Sequence, residues 1–148
     1  MKKTQIGWVI IVISALVIGI TSFQKTNSNE AHMVNVVNIG VILLVVLFGA
    51  LTLSVDDEYV TFSFGIGLFR KKIRIEEITF CRPLSYFALG WGIRFRPGVT
   101  LFNVSGNKAI EIRRRGKRDI WIGTDFPDEF AAYINEKMES KRNNTTSN

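Results

Sequence analysis

A single cysteine and a single histidine stand in 148 residues, and that scarcity removes whole classes of chemistry at once. Cys81 alone forms no internal disulfide, which fits a reducing compartment. Together with His32 it assembles neither an imidazole-activated nucleophile nor a zinc cluster. A glycine-rich phosphate loop of the P-loop or dinucleotide type is also missing. Glu76 and Glu77 are adjacent, so on a strand they would point to opposite faces and could not cooperate as a carboxylate pair. Neither an enzyme nor a cofactor is expected. Charge of one sign is only mildly in excess. The net is +6, and from Ser54 onward 16 Lys and Arg face 12 Asp and Glu, weaker than a dedicated nucleic-acid binder shows.

Ionisable groups are wholly lacking in two apolar runs, from Thr4 to Gln24 and from Met33 to Val55. Each is long enough to cross a bilayer, whose apolar core takes about 20 helical residues at ~1.5 Å rise. With no charge inside either run, a transport pathway is not expected. The reading is a transmembrane hairpin over residues 1–55, with spans at 6–23 and 33–53. Lys2 and Lys3 precede the first run and basic residues follow the second, while the intervening loop holds one Lys and one Glu. The positive-inside rule therefore places both termini on the cytoplasmic side of a multi-pass inner or plasma membrane protein. A cleaved signal peptide competes with this reading, although Ile20 to Phe23 makes a poor small-x-small cleavage site. Ala15 and Gly19 have the small-xxx-small spacing of helix pairing, homo-oligomers included, and Asn35 and Asn38 share a face from which they can reach Thr21 or Ser22.

Beyond Leu51 the apolar period becomes two, the signature of strands with one buried face. Val60, Phe62 and Phe64 alternate with Tyr59, Thr61 and Ser63. About seven strands are expected through Ile122. Turn residues at Gly65, Pro97-Gly98, Ser105-Gly106-Asn107 and Gly116 favour an antiparallel meander. A helix follows: Asp125 is positioned to cap it, Pro127 sits in its first turn, and Asp128 and Glu129 favour the positive end of its dipole. Phe130, Ile134 and Met138 form its apolar stripe. The domain is expected over 56–139 and a disordered tail over 140–148, which carries no apolar residue.

Several antiparallel strands closed by one helix describe the pleckstrin-homology architecture, and three motifs in order sharpen the likeness. Gly90 to Phe95 reads Gly-Trp-Gly-Ile-Arg-Phe, Asn103 to Gly106 reads Asn-Val-Ser-Gly, and Ile122 to Asp125 reads Ile-Gly-Thr-Asp before Pro127-Asp128-Glu129. The chain thereby resembles bacterial pleckstrin-homology-like membrane proteins of unassigned function, over about residues 56–137. The resemblance implies a mainly antiparallel fold and no catalytic residues. Physically, the glycines flanking Trp91 allow unusual torsions or close approach, and Asn103 is placed to bond its own turn.

Two basic clusters carry the functional expectation: Arg70, Lys71, Lys72 and Arg74, then Arg113, Arg114, Arg115, Lys117 and Arg118. Only Ser54 to Glu58 separate the second run from the first full strand, a reach under ~20 Å. Anionic lipid headgroups attract nearby Lys and Arg at roughly 1 kcal/mol each. The expectation is a membrane-anchored module for surface sensing or for an unidentified protein partner. The alternative is an envelope-stress or self-immunity factor acting through its hairpin.

Overall fold

The computed structural model describes residues 1–23, 28–86, 92–104 and 106–146. The chain opens on a strand. Lys2–Ile6 (β1) pairs antiparallel with Ala50–Val55 (β2), setting Lys2 against Ser54 and Thr4 against Thr52. Between these neighbours run two helices, Trp8–Phe23 (α1) and Ser28–Phe48 (α2). Thr21 Oγ1 donates to Asn38 Oδ1 across them at 2.8 Å. One glycine separates each helix from its strand. The Gly7 amide donates to the Gly49 carbonyl at 2.8 Å, so the two joints are tied to each other.

The expected transmembrane boundaries move accordingly. Residues 2–6 belong to β1, which leaves α1 only 16 residues long. Residues 50–53 belong to β2, where Leu51, Leu53 and Val55 turn into the sheet core and Thr52 and Ser54 face outward. Their period-two alternation outweighs their apolar composition. Among the described helices, one has a stretch long and apolar enough to span a membrane, Ala31–Phe48.

Tyr59–Phe64 (β3) and Phe69–Arg74 (β4) complete a four-stranded sheet in the order β1-β2-β3-β4. A 3-10 turn at Ile75–Glu77 leads out of it, so Glu76 and Glu77 lie on that turn rather than on a strand. The second sheet holds Ile78–Ser85 (β5), Gly92–Arg96 (β6), Val99–Asn103 (β7), Lys108–Arg114 (β8) and Lys117–Gly123 (β9). Its order is β5-β8-β9-β7-β6, with β7 and β9 parallel. The described strands number nine, not seven, and the second sheet is not a meander. Pro97-Gly98 and Arg115-Gly116 turn β6–β7 and β8–β9 back as hairpins, but β7 and β8, consecutive in the chain, are not neighbours, because β9 lies between them. The fold is thus mostly antiparallel.

One core joins the sheets. Phe62 and Phe64 of the first meet Phe102 of the second at ring distances of 4.6 and 6.1 Å. Pro127–Thr146 (α3) buries Phe130, Ala131 and Ile134 in the same core, and Asn135 Nδ2 donates to the Cys81 carbonyl at 3.1 Å. The helix extends past residue 139, where its end was expected. Asp125 accepts Gln5 Nε2 at 2.8 Å, which ties β1 to the segment before α3. Asn103 Nδ2 donates to the Gly106 carbonyl at 3.4 Å, so it bonds its own turn. Gly90 and Trp91 lie outside the described residues.

Candidate functional site: a cationic sheet face beside an apolar wedge

Strand alternation assigns each cation of the first cluster a side. Arg70, Lys72 and Arg74 project from the outer face of β4, and Lys71 projects inward with Phe69 and Ile73. Register then lines the outer face up in rows. Lys2, Ser54, Thr61 and Lys72 form one row; Thr4, Thr52, Ser63 and Arg70 form the next. The result is a floor of hydroxyls framed by ammonium and guanidinium groups, around a shallow cleft of about 260 Å³. None of the outer-face positions of these four strands carries a carboxylate. Lys2, Arg70 and Lys72 make no ion pair with any described residue, and Arg74 reaches Glu77 at 3.5 Å.

The second cluster is neutralised in part, at Arg113 and Lys117. Glu111, 4% exposed, accepts Arg82 Nε at 2.6 Å and Arg113 Nε at 3.0 Å, and Arg113 also lies 3.7 Å from Asp119. Lys117 donates to Glu77 at 2.8 Å. Arg114 donates to the Arg118 carbonyl at 2.7 Å, while Arg115 and Arg118 lie exposed around the β8–β9 turn. Of the nine cations grouped in the sequence, the structure leaves Arg70, Lys71 and Lys72 without a carboxylate partner among the described residues, and pairs Arg74 with Glu77, Arg113 with Glu111 and Asp119, and Lys117 with Glu77. A larger cavity, about 520 Å³ between the 3-10 turn and α3, is bridged by a Lys141–Glu76 pair at 3.3 Å. No three of His, Cys, Asp and Glu converge as metal ligands among the described residues.

Burial works against the charge on Glu111, and the hydrogen bonds from Arg113 and Arg82 outweigh it, holding the carboxyl below its ordinary value of 4.5. A depressed folded-state pKa contributes stability that is present above the unfolded pKa and lost as pH falls through the folded one. Glu111→Gln should therefore flatten the acid limb of the stability profile below about pH 4.5, as read by melting wild type and variant across pH. A parallel acid limb in both proteins would exclude this role.

Two features of the site escaped the sequence. In the sequence Lys2 signals only topology, whereas β1 brings it to the β4 cations across three strand spacings. The apolar tip of the β3–β4 turn was also missed: Ile66 is 72% and Leu68 67% exposed, directly before Arg70. Three apolar residues next to three basic ones was the available signal. Lys71 lies over the Phe102 ring at 5.8 Å, and burial followed by repulsion from Arg114 and Lys117 lowers its pKa. Ala15 and Gly19 face away from α2, with nothing within 4 Å of the place a Gly19 side chain would occupy. No protein-family model, no curated protein and no solved structure matches the chain.

Proposed function

We propose that the chain is a non-catalytic, membrane-anchored module whose β domain reads the anionic charge of the surface it sits on. The observation that carries this is the uncompensated cationic face of β1 and β4, placed immediately beyond the end of an apolar helix. β1 precedes α1, β2 follows α2, and the two strands pair, so α1 and α2 cross together or not at all. The 18-residue apolar stretch of α2 covers ~27 Å of a ~30 Å hydrocarbon layer. The 16 residues of α1 cover ~24 Å, a shortfall that local thinning and flanking residues accommodate. Trp8, exposed where α1 begins, belongs at the interface on this reading.

Depth along the strands then orders the groups. The Gly65–Leu68 turn packs beside Val46 and Leu47, so Ile66 and Leu68 lie at the hydrocarbon edge. Arg70 is level with Thr52, three residues beyond Gly49, or ~10 Å out, and Lys72 is ~17 Å out. These depths are those of headgroups and of the counterion layer above them, where each cation is worth roughly 1 kcal/mol. Mostly antiparallel strands and a closing helix support the pleckstrin-homology reading, while the strand number and the parallel β7–β9 pair depart from it.

The test uses the full chain in vesicles. Because Cys81 is buried and its thiol pushed up to about 12, a nitroxide on Ile66→Cys marks that position alone. The label should read as immersed, and more so when phosphatidylglycerol is added to phosphatidylcholine, with the lipid dependence abolished by Lys2→Ser, Arg70→Ser and Lys72→Ser together. A label bathed in bulk water in both vesicle types would overturn the proposal.

A further inference from the structure

The two sheets splay apart between β4, the last strand of one, and β6 with β7 at the edge of the other, and the wedge between them is open. Its walls are Phe62, Phe64 and Phe69 on one side and Ile93, Phe95 and Phe102 on the other, around a volume of about 280 Å³. Phe95 is 74% exposed, which is unusual for a phenylalanine with a core available. Lys71 and Arg70 supply the polar lining with Thr100, and among the described residues no carboxylate lines the wedge.

Position decides what fits. Phe48, the last residue of α2, stacks on Phe69 at 5.6 Å and meets Phe64 edge-on at 5.8 Å, so the apolar wall begins where the membrane helix ends. Lys71 lies two residues farther along β4, ~7 Å from that rim on the side away from the helices. The order outward from the helix end is therefore aromatic wall, then cation. A bilayer lipid has the same polarity, with its chain toward the membrane and its head away from it. The volume lies just under the ~300–1,000 Å³ of pockets that enclose a drug-sized ligand, which suits a segment of one acyl chain rather than a whole lipid.

We propose that this wedge holds the upper acyl chain of an anionic bilayer lipid, with the lipid's phosphate at Lys71. The proposal rests on the placement of the domain at the membrane surface. It goes beyond surface attraction, because a lipid seated in the wedge is withdrawn from the bilayer plane and engaged one molecule at a time. The acidic headgroup complements Lys71, whose ammonium is otherwise held among cations and an aromatic ring with no acidic partner among the described residues.

The experiment uses the full chain in vesicles doped with phosphatidylglycerol carrying a diazirine high on its acyl chain, or with phosphatidylcholine carrying the same chain. After illumination, adducts are mapped on proteolytic fragments. Adducts on residues 62–71 and 93–102 are expected, about tenfold more from phosphatidylglycerol than from phosphatidylcholine, with the excess lost in Lys71→Glu. Ile93→Trp, which fills the wedge from a half-exposed position, should remove both sets while leaving the fold intact. Adducts confined to the two apolar helices would overturn the proposal. Rapid interchain disulfide formation by Phe95→Cys on mild oxidation would overturn it too, since a second copy would then cover the wedge. The spin label at position 66 separates the readings: immersion retained without wedge adducts removes the lipid seat alone, whereas loss of both removes the surface placement.

Discussion

Gly65→Ala is expected to be the most damaging single-methyl change in the protein, costing about 3 kcal/mol or more of a stability that for a domain of this size is ~5–15 kcal/mol in all. Two effects combine. Gly65 has φ +50°, a left-handed conformation that costs a residue with Cβ about 1–2 kcal/mol. The added methyl would also press into the backbone carbonyls of Val46 and Leu47 in the last turn of α2, atoms that no rotamer change can clear. Relief requires the turn to swing away from α2, which breaks the 2.8 Å bond from the Gly65 amide to the Ala50 carbonyl. Gly98→Ala separates the two effects, because φ is +77° there and nothing lies within 4 Å of the new methyl. It should cost only the conformational part. Thermal or denaturant unfolding of both variants as full chains in the same bilayer mimetic checks this; equal losses would show that the approach of the turn to α2 carries no weight.

Phe130→Ala should destabilise by about 3–5 kcal/mol, the range for emptying a buried phenylalanine site. Phe130 is fully buried, and with Ala131 and Ile134 it pins α3 over the core. The chain carries its own reporter of that loss. Cys81 sits under α3, and burial together with the nearby Glu111 charge pushes its thiol up to about 12, so the thiolate that reacts with alkylating agents is scarce in the closed state. Opening α3 restores an ordinary thiol. At mildly alkaline pH the alkylation rate should rise by about a hundredfold or more in Phe130→Ala, since each 1.4 kcal/mol is a factor of about ten in the open population. Phe126→Ala, half-exposed outside the core, should leave the rate near wild type. An unchanged rate in Phe130→Ala would mean that α3 does not guard the thiol.

Much of this architecture was written in local patterns, and what escaped was non-local. The alternation of Tyr59 to Phe64 and the Phe130, Ile134, Met138 stripe each state a period within a few residues, and both elements form as read. β1 did not announce itself. Lys-Lys-Thr-Gln-Ile is a weak strand by composition, and it becomes one only because β2, 48 residues later in the pairing of Thr4 with Thr52, offers an edge. The same blindness hid the outer-face rows, since the hydroxyls of Thr52, Ser54, Thr61 and Ser63 mean little until register sets them between β1 and the Arg70 and Lys72 of β4. Charge compensation was equally out of reach. Whether a basic residue is available depends on whether a carboxylate stands opposite, and Glu77 beside Lys117, like Glu111 beside Arg82, lies on another element.

The tie between Gly7 and Gly49 has a mechanical side. A flexible tether would let the domain tumble over the bilayer whatever its helices did, but strands that enter the helices through one residue each, cross-bonded at the joint, behave as a crank. When the hairpin tilts, the first sheet must tilt with it. Its far end, the β2–β3 turn at Asp56–Glu58, lies six residues beyond the joint, ~20 Å along the strands, so a ~20° lean of the kind that thickness mismatch imposes on membrane helices sweeps that end through ~7 Å. On the proposed placement, bilayer thickness would be converted into displacement of a rigid lever, with the cations of β4 riding on it.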